Sequence, residues 1–282
     1  MIWVIGSNGM LGTDVALHIN GVYTDRTVSV LEIDALRVFA YDKDISWIIN
    51  CSAYTAVDKA EENEPDCFLV NEEGVANIAT VAKEIGAKLI HISTDYVFDG
   101  TSDEPLDETA PTNPLGVYGL SKLAGEDRIR EILDEHFIIR TSWLYGEHGD
   151  NFVHTMIKLM GERDELSVIG DQIGSPTSTT SLIRLLYSII LNNSDEYGLY
   201  HFSNEGEISW FEFAEAIMDI AVAFGLIDRK IKLKKITTDE YPTIAKRPSY
   251  SMMNKDKVRN TFNINIPTWK QQLTVFLINK EG

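Results

Sequence analysis

The sequence is short of several things, and each shortage excludes something. It has only two cysteines, Cys51 and Cys67, too few for a disulfide scaffold and not a close metal-binding pair. They are expected as buried thiols of a reducing cytoplasm rather than as a disulfide. Basic residues are scarce: Lys+Arg 25 against Asp+Glu 43 gives a net charge of −18. That argues against a nucleic-acid partner, which would need a basic face to displace counterions. A small anionic ligand held by a few local cations stays open. No apolar run reaches the roughly 18 residues of a membrane span. The best candidate, Leu182–Leu191, is interrupted by Arg184. The opening Met1–Gly6 run is too short for a secretion signal and lacks a basic leader, so the expected location is cytoplasmic, with no membrane partner. The six histidines show no His-Glu-x-x-His spacing, and His91 and His201 read as strand residues, His91 with a satisfied core side chain. No Gly-x-Ser-x-Gly elbow surrounds Ser93, Ser142 or Ser175, so a hydrolase triad has no support.

What is present is a globular composition, 44% hydrophobic and 24% charged over 282 residues, enough for one large domain or two. The first half alternates apolar runs with helical patterns. Strands are expected at Ile2–Ile5, Gly21–Thr24, Trp47–Cys51, Lys88–Ser93 and Phe137–Arg140, and helices at Thr13–Ile19, Pro65–Ile85 and Leu120–Leu133. Continuous apolar strands separated by helices predict an α/β fold, a doubly wound parallel sheet covered on both faces. The second half is less regular. Helices are expected at Asn151–Met160, Thr180–Leu191 and Ser209–Ala223, with Ser209 as N-cap, and after Pro267; a strand is expected at Gly198–Phe202. The charged Asp228–Lys235 stretch reads as the approach to a loop. The change of rhythm divides the chain into residues 1–145 and a second lobe, residues 146–282, with some segments returning to the first.

Gly6-Ser7-Asn8-Gly9-Met10-Leu11-Gly12 follows a strand and opens a helix. Gly6 permits the tight turn, Gly9 lets a pyrophosphate approach the backbone, and Gly12 lets helix and strand pack closely. The helix N-terminus adds amide donors and partial positive charge. The spacing is G-x-x-G-x-x-G rather than G-x-G-x-x-G. Asp25 closes the second strand where an acid that binds an adenosine ribose belongs, favouring NADH. Arg26 beside it suits a 2′-phosphate, favouring NADPH, and the pair leaves the choice open.

Tyr118-Gly119-Leu120-Ser121-Lys122 places Tyr118 and Lys122 on one helix face. A neighbouring ammonium is expected to lower the phenol pKa from about 10 toward the working pH and make Tyr118 a general acid or base. Thr94 ends a strand, at the edge that faces the ligand crevice of a doubly wound sheet, and is placed to bond the same substrate oxygen.

These parts, in this order, resemble the extended short-chain dehydrogenase/reductases, with their Rossmann-like fold. The segments Asn50–Glu61, Ser93–Gly100, Val117–Glu126, Arg140–Tyr145, Asp171–Thr177 and Arg247-Pro248 are similar to one branch, the dTDP-4-dehydrorhamnose reductases. The resemblance implies NADPH or NADH held by Gly6, Asn8, Gly9, Met10, Leu11, Gly12, Asp25, Arg26, Glu32, Ile33, Ala53, Tyr54, Thr55, Tyr118 and Lys122. It implies a dTDP-sugar substrate contacted by Val57, Thr94, Asp95, Tyr96, Trp143 and Arg247. The catalytic set would be Thr94, Tyr118 and Lys122. The family's metal-linked dimer uses an acid where Thr180 stands here, so no metal is expected, and the chain is a monomer or homodimer.

Two rivals follow from the same resemblance. A 4-epimerase or dehydratase of the superfamily is one, although dehydratases carry Glu after Thr-Asp, where this chain has Tyr96. A non-catalytic regulatory subunit resembling that of methionine adenosyltransferase is the other, weakened by the complete Thr94, Tyr118 and Lys122 set.

Overall fold

Alternate residues of the first strands divide between two cores. Val4, Ile49, Ile90 and Ile139 face one side, and Ile5, Ile48, Leu89 and Ile138 the other. A strand apolar on both faces is stable only when helices cover both. The structure, a computed structural model, describes residues 1–279 and has that arrangement. Strands β1 (Ile2–Ile5), β2 (Val22–Thr24), β3 (Trp47–Asn50), β4 (Lys88–Thr94), β5 (His136–Thr141) and β10 (Gly198–His201) form one sheet in the order β10-β5-β4-β3-β1-β2. Every pairing in it is parallel. The expected doubly wound parallel sheet is therefore present. The edge strand β10 arrives from late in the chain and lies beside β5 in register Gly198–Phe137 to His201–Arg140.

Helices α1 (Met10–His18) and α8 (Thr179–Leu191) share one face, through Leu11, Val15, Leu182 and Leu186. Buried Asp14 of α1 accepts from Thr179 Oγ1 and pairs with His148 Nδ1, both at 2.5 Å. Helices α2 (Ile33–Ala40), α5 (Gly74–Ile85) and α6 (Val117–Ile132) cover the other face. Short helices α3 (Val57–Ala60) and α4 (Glu64–Phe68) precede α5. The single helix expected over Pro65–Ile85 is interrupted by a π-helical segment, Leu69–Glu73, in which buried Asn71 turns its side chain to Tyr54 and Ser121. A π-turn needs no Gly or Pro, so periodicity alone gave no warning of it.

A third core holds the second lobe: β6 (Leu144–Tyr145), α7 (Phe152–Glu162), β7 (Glu165–Ile169), α9 (Trp210–Ala223) and α11 (Trp269–Ile278) around Val153, Leu166, Phe213, Ile217 and Leu273. The pairs β8 (Ile173–Gly174) with β11 (Ile208–Ser209), and β9 (Thr177–Ser178) with β6, stitch the loops near the sheet's carboxyl edge. Ser209 caps α9 in a full capping box with Glu212, as its sequence signal predicts. The charged stretch expected to lead into a loop is instead β12 (Lys232–Ile236), parallel to β7. Three of its five residues, Lys232, Lys234 and Lys235, are exposed lysines, and these hide the strand. Helix α10 (Asp256–Phe262) returns to the sheet beside β10 through buried Val258. Cys51 and Cys67 are free thiols, as expected, but only Cys67 is buried and Cys51 is partly exposed.

Candidate active site

The sheet changes winding direction between β1 and β3, and ligands of such folds bind beyond the strand ends at that point. A cavity of about 850 Å³ opens there, lined by Gly6, Asn8, Gly9, Asp25, Arg26, Ser29 to Leu31 and Cys51 to Ala56. The glycine turn is sterically dictated. Gly6 has φ +82°, and a Cβ there would lie 2.6 Å from Ser52 N. A Cβ on Gly12 would lie 2.0 Å from Gly6 O. At Gly9 the nearest atom to a Cβ is 3.4 Å away, so this residue borders open space. Gly9 is the N-cap of α1 and no side chain caps the helix, leaving its first amides for a ligand.

Asp25 is held by Asn8 Nδ2 and by Thr27 N at 2.8 Å, and these bonds keep its carboxyl below its usual range. Arg26 lines the same wall. Met10 and Leu11 open α1; Leu11 is buried in the core and Met10 reaches Asn151. Glu32 and Ile33 begin α2, just past the wall formed by Ser29, Val30 and Leu31. Ala53, Tyr54 and Thr55 are on the wall itself, and Asn71 clamps Tyr54 by its backbone N–H and carbonyl.

On the neighbouring strand end, Thr94, Asp95, Tyr96, Tyr118, Lys122 and Arg247 come together. Helix α6 begins earlier than the apolar pattern suggests, so Tyr118 sits in its first turn and Lys122 one turn on. Glu61 Oε1 accepts from Val117 N at 2.9 Å and supplies that start. Glu61, at the end of α3, therefore holds the N-terminus of α6, while Glu64 begins α4. Thr94 Oγ1 donates to Asp95 Oδ1 at 3.1 Å and accepts from Tyr96 N at 3.2 Å. The Tyr118 phenol lies against the same hydroxyl. The Tyr96 and Tyr118 rings meet edge to face, 5.5 Å apart. Arg247 Nη1 is 3.5 Å from the Tyr96 hydroxyl, and Nη2 donates to Asp58 Oδ2 at 2.8 Å. Val57 opens α3 next to Asp58.

Burial decides the electrostatics. Lys122 was expected to bring the Tyr118 phenol toward neutrality. Instead desolvation pushes the phenol up, and Lys122 Nζ is turned to Ile92 O at 2.7 Å and His91 Nε2 at 3.2 Å. The phenol stays protonated, the state a proton donor needs. Burial brings Lys122 itself down to about 8 and Asp95 up to about 6. Asp95 Oδ2 and Arg247 Nε are buried without hydrogen-bond partners among the described residues. Orphaned polar atoms of this kind mark places where a ligand completes the bonding.

Trp143 lies at the junction of the two halves with φ 47°, a strained conformation for a bulky residue, and stacks on Trp210 at 3.6 Å. One indole face is thus already covered.

Comparison with known proteins places this geometry. The family model described as RmlD substrate binding domain matches residues 1–281. The dTDP-4-dehydrorhamnose reductase of Aggregatibacter actinomycetemcomitans is 38% identical over 286 residues, covering 96% of each chain. That of Escherichia coli strain K12 is 43% identical over 226 residues, 79% of this chain and 76% of its own. The chain belongs to the dTDP-4-dehydrorhamnose reductase family. Among solved structures, the reductase of Bacillus anthracis in complex with NADP superimposes with a TM-score of 0.93 at 37% identity, covering 99% of this chain and 98% of its own.

Against that family assignment, several supporting residues escaped sequence reading. Asp58 holds Arg247, His91 faces Lys122, and Glu126 anchors α6. Glu126 is fully buried, paired with Arg140 Nε at 2.8 Å and Nη2 at 2.7 Å, and accepts from Ser93 at 2.6 Å. The one signal available was Glu126 at i+4 from Lys122, on the face that carries the Tyr-x-x-x-Lys pair.

Proposed function

We propose that the chain reduces the C4 ketone of dTDP-4-dehydro-6-deoxy-L-mannose (dTDP-4-dehydrorhamnose) to dTDP-L-rhamnose, using NADPH or NADH, for cell-surface polysaccharide synthesis in the cytoplasm. The observation that carries this reading is the placement of Tyr118 in the first turn of α6, against Thr94, one helical turn from Lys122 and beside the cavity of the glycine turn, where desolvation favours its protonated form. The fit to a dinucleotide rests on that turn: Gly6 and Gly12 admit no Cβ, Gly9 borders open space, and the uncapped α1 amides face it. Gly6 to Gly12, Asp25, Arg26 and Ala53 to Thr55 would hold the dinucleotide.

The chemistry supplied by the bound nicotinamide is a hydride for C4. As that carbon is reduced, its oxygen gains negative charge. Tyr118 gives its proton to this oxygen, and Thr94, released from Asp95, donates a second hydrogen bond. Lys122 in its ammonium form steadies the phenolate left on Tyr118. Arg247 and Tyr96 receive the sugar nucleotide, with the free Arg247 Nε and Asp95 Oδ2 as unused bonding capacity. Residues 1–145 act as the dinucleotide half and residues 146–282 mainly as the substrate half, with Trp143 between them. The assembly is a monomer or homodimer.

The test is a coupled assay that supplies the 4-keto-6-deoxy sugar nucleotide with its epimerase, follows reduced cofactor and identifies the product. Stoichiometric cofactor oxidation and a rhamnosyl product are expected. Turnover without net oxidation would instead mark an epimerase or dehydratase. In Tyr118→Phe, kcat should fall about 10²–10⁴-fold, the usual contribution of a general acid; near-wild-type turnover would remove Tyr118 from this role.

A further inference from the structure

Lys122 Nζ stands 3.2 Å from His91 Nε2. What that ring nitrogen carries is decided on the other side of the ring. Asn50 Oδ1 accepts from Ser52 N at 2.9 Å and from Ser52 Oγ at 2.6 Å. A backbone N–H can only donate, so the Asn50 amide is oriented with its oxygen to Ser52. Its Nδ2 then faces His91 Nδ1 at 3.0 Å. An amide nitrogen donates and does not accept, so Nδ1 presents its lone pair. His91 is fully buried, and burial holds the ring well below its ordinary pKa. A neutral ring with a bare Nδ1 carries its proton on Nε2, aimed at Lys122 Nζ. An ammonium has no lone pair to receive it, whereas an amine accepts that proton and still donates to Ile92 O at 2.7 Å. The bonds around this pair close only when Lys122 is the amine.

We propose that His91 is a positioning residue for the reduction: locked by Asn50 as the Nε2–H tautomer, it favours the neutral amine of Lys122 over the ammonium in the ligand-free protein. Charging Lys122 then takes a proton from solvent onto Nζ, moves the ring proton from Nε2 to Nδ1, and turns the Asn50 amide away from Ser52. The proposal rests on the reductase reading for its consequence but not for its geometry. The titratable groups facing the pair are Glu126 on α6, Cys51 after β3, Cys67 on α4, and His136 on β5. Tyr118 lies one turn back on α6. Glu126 is among those that raise Lys122, and its carboxylate is already committed to Arg140.

Two measurements test this. Long-range ¹H–¹⁵N correlation spectra of the ligand-free full chain read each imidazole's tautomer. His91 is assigned by the signal lost in His91→Gln or, if that variant does not fold, altered in Asn50→Asp. The expected result is an Nε2–H ring that does not titrate between about pH 6 and 8. An Nδ1–H ring or an imidazolium overturns the proposal, whatever the protein reduces. The second measurement is the pH profile of kcat/KM. In His91→Gln the amide oxygen can turn to the ammonium, and in Asn50→Asp the carboxylate draws the ring proton to Nδ1. Both should move the alkaline limb upward by about one pH unit. An unmoved limb in a folded, cofactor-binding variant refutes the role. Failure of the wild-type chain to reduce the dTDP-sugar, with the tautomer as expected, would sink the functional reading alone.

Discussion

Arg140→Met removes the guanidinium that pairs with Glu126 and leaves the rest of the chain untouched. Glu126 and Arg140 are 0% and 2% exposed, and the pair is held by two hydrogen bonds of 2.8 and 2.7 Å. Breaking one partner of a buried pair costs about 3–5 kcal/mol, because the remaining charge stays buried. Ser93 and the half-exposed Arg130 still reach Glu126, so a value near the lower end of that range is expected. The pH dependence has a definite sign. In the wild type, burial pushes the Glu126 carboxyl up, but Arg140, Ser93 and Arg130 together bring it below its ordinary value. Its contribution is therefore present above the unfolded carboxyl pKa of about 4.3 and lost as pH falls through the lower folded value. In Arg140→Met burial prevails and the folded value rises above the unfolded one. The folded variant then binds the extra proton, so its deficit should shrink as pH falls from 7.5 toward about 5. Urea unfolding at these two pH values, for both proteins, reads the difference. The double variant Glu126→Leu/Arg140→Met buries no charge and should recover most of the loss. A deficit independent of pH, or a double variant no more stable than the single, would refute the electrostatic account of how α6 is anchored.

Four other outcomes follow from the site. Gly12→Ala forces a Cβ into Gly6 O and should weaken NADPH binding by calorimetry at least about 10-fold, with about 1–3 kcal/mol lost in stability. Arg26→Ala should raise the Kd for NADPH more than that for NADH; an unchanged ratio would mean that the guanidinium does not meet the 2′-phosphate. Asp95 is pushed up to about 6 by burial, so kcat/KM should show an inflection near that pH, as the neutral acid below it becomes a carboxylate above. Asp95→Asn should abolish the inflection. Arg247→Lys, losing the planar fork between Asp58 and Tyr96, should raise KM for the sugar nucleotide about 10-fold with a smaller change in kcat.

The sheet and the chemistry-bearing residues were legible because they depend on local pattern. Strands such as Trp47–Asn50 are apolar on both faces, and Gly6 and Gly12 sit where no side chain fits. The pairing of Tyr118 with Lys122 follows from helical geometry alone. What could not be read depends on contacts across long stretches of chain. The start of α6 is set by Glu61, 56 residues away from Val117. The meeting of Asp58 with Arg247 spans 189 residues. The protonation of Tyr118 follows from burial by the surrounding loops rather than from the lysine beside it. The β12 strand was hidden by its lysines, since Lys232, Lys234 and Lys235 fall on both faces and leave no apolar alternation to read.

The late arrival of β10 has a practical bearing on hybrid enzymes. Splicing this chain to a relative at residue 145 would take Gly198–His201 from one parent and β5 from the other, together with α8 and its Thr179 contact to Asp14. A mismatched edge leaves β5 with open amides and carbonyls, an invitation to aggregate. Crossovers that keep residues 179–201 with the first parent's glycine turn preserve that seam, provided that Asn204, which bonds Ser178 N and Ser181 Oγ, travels with them.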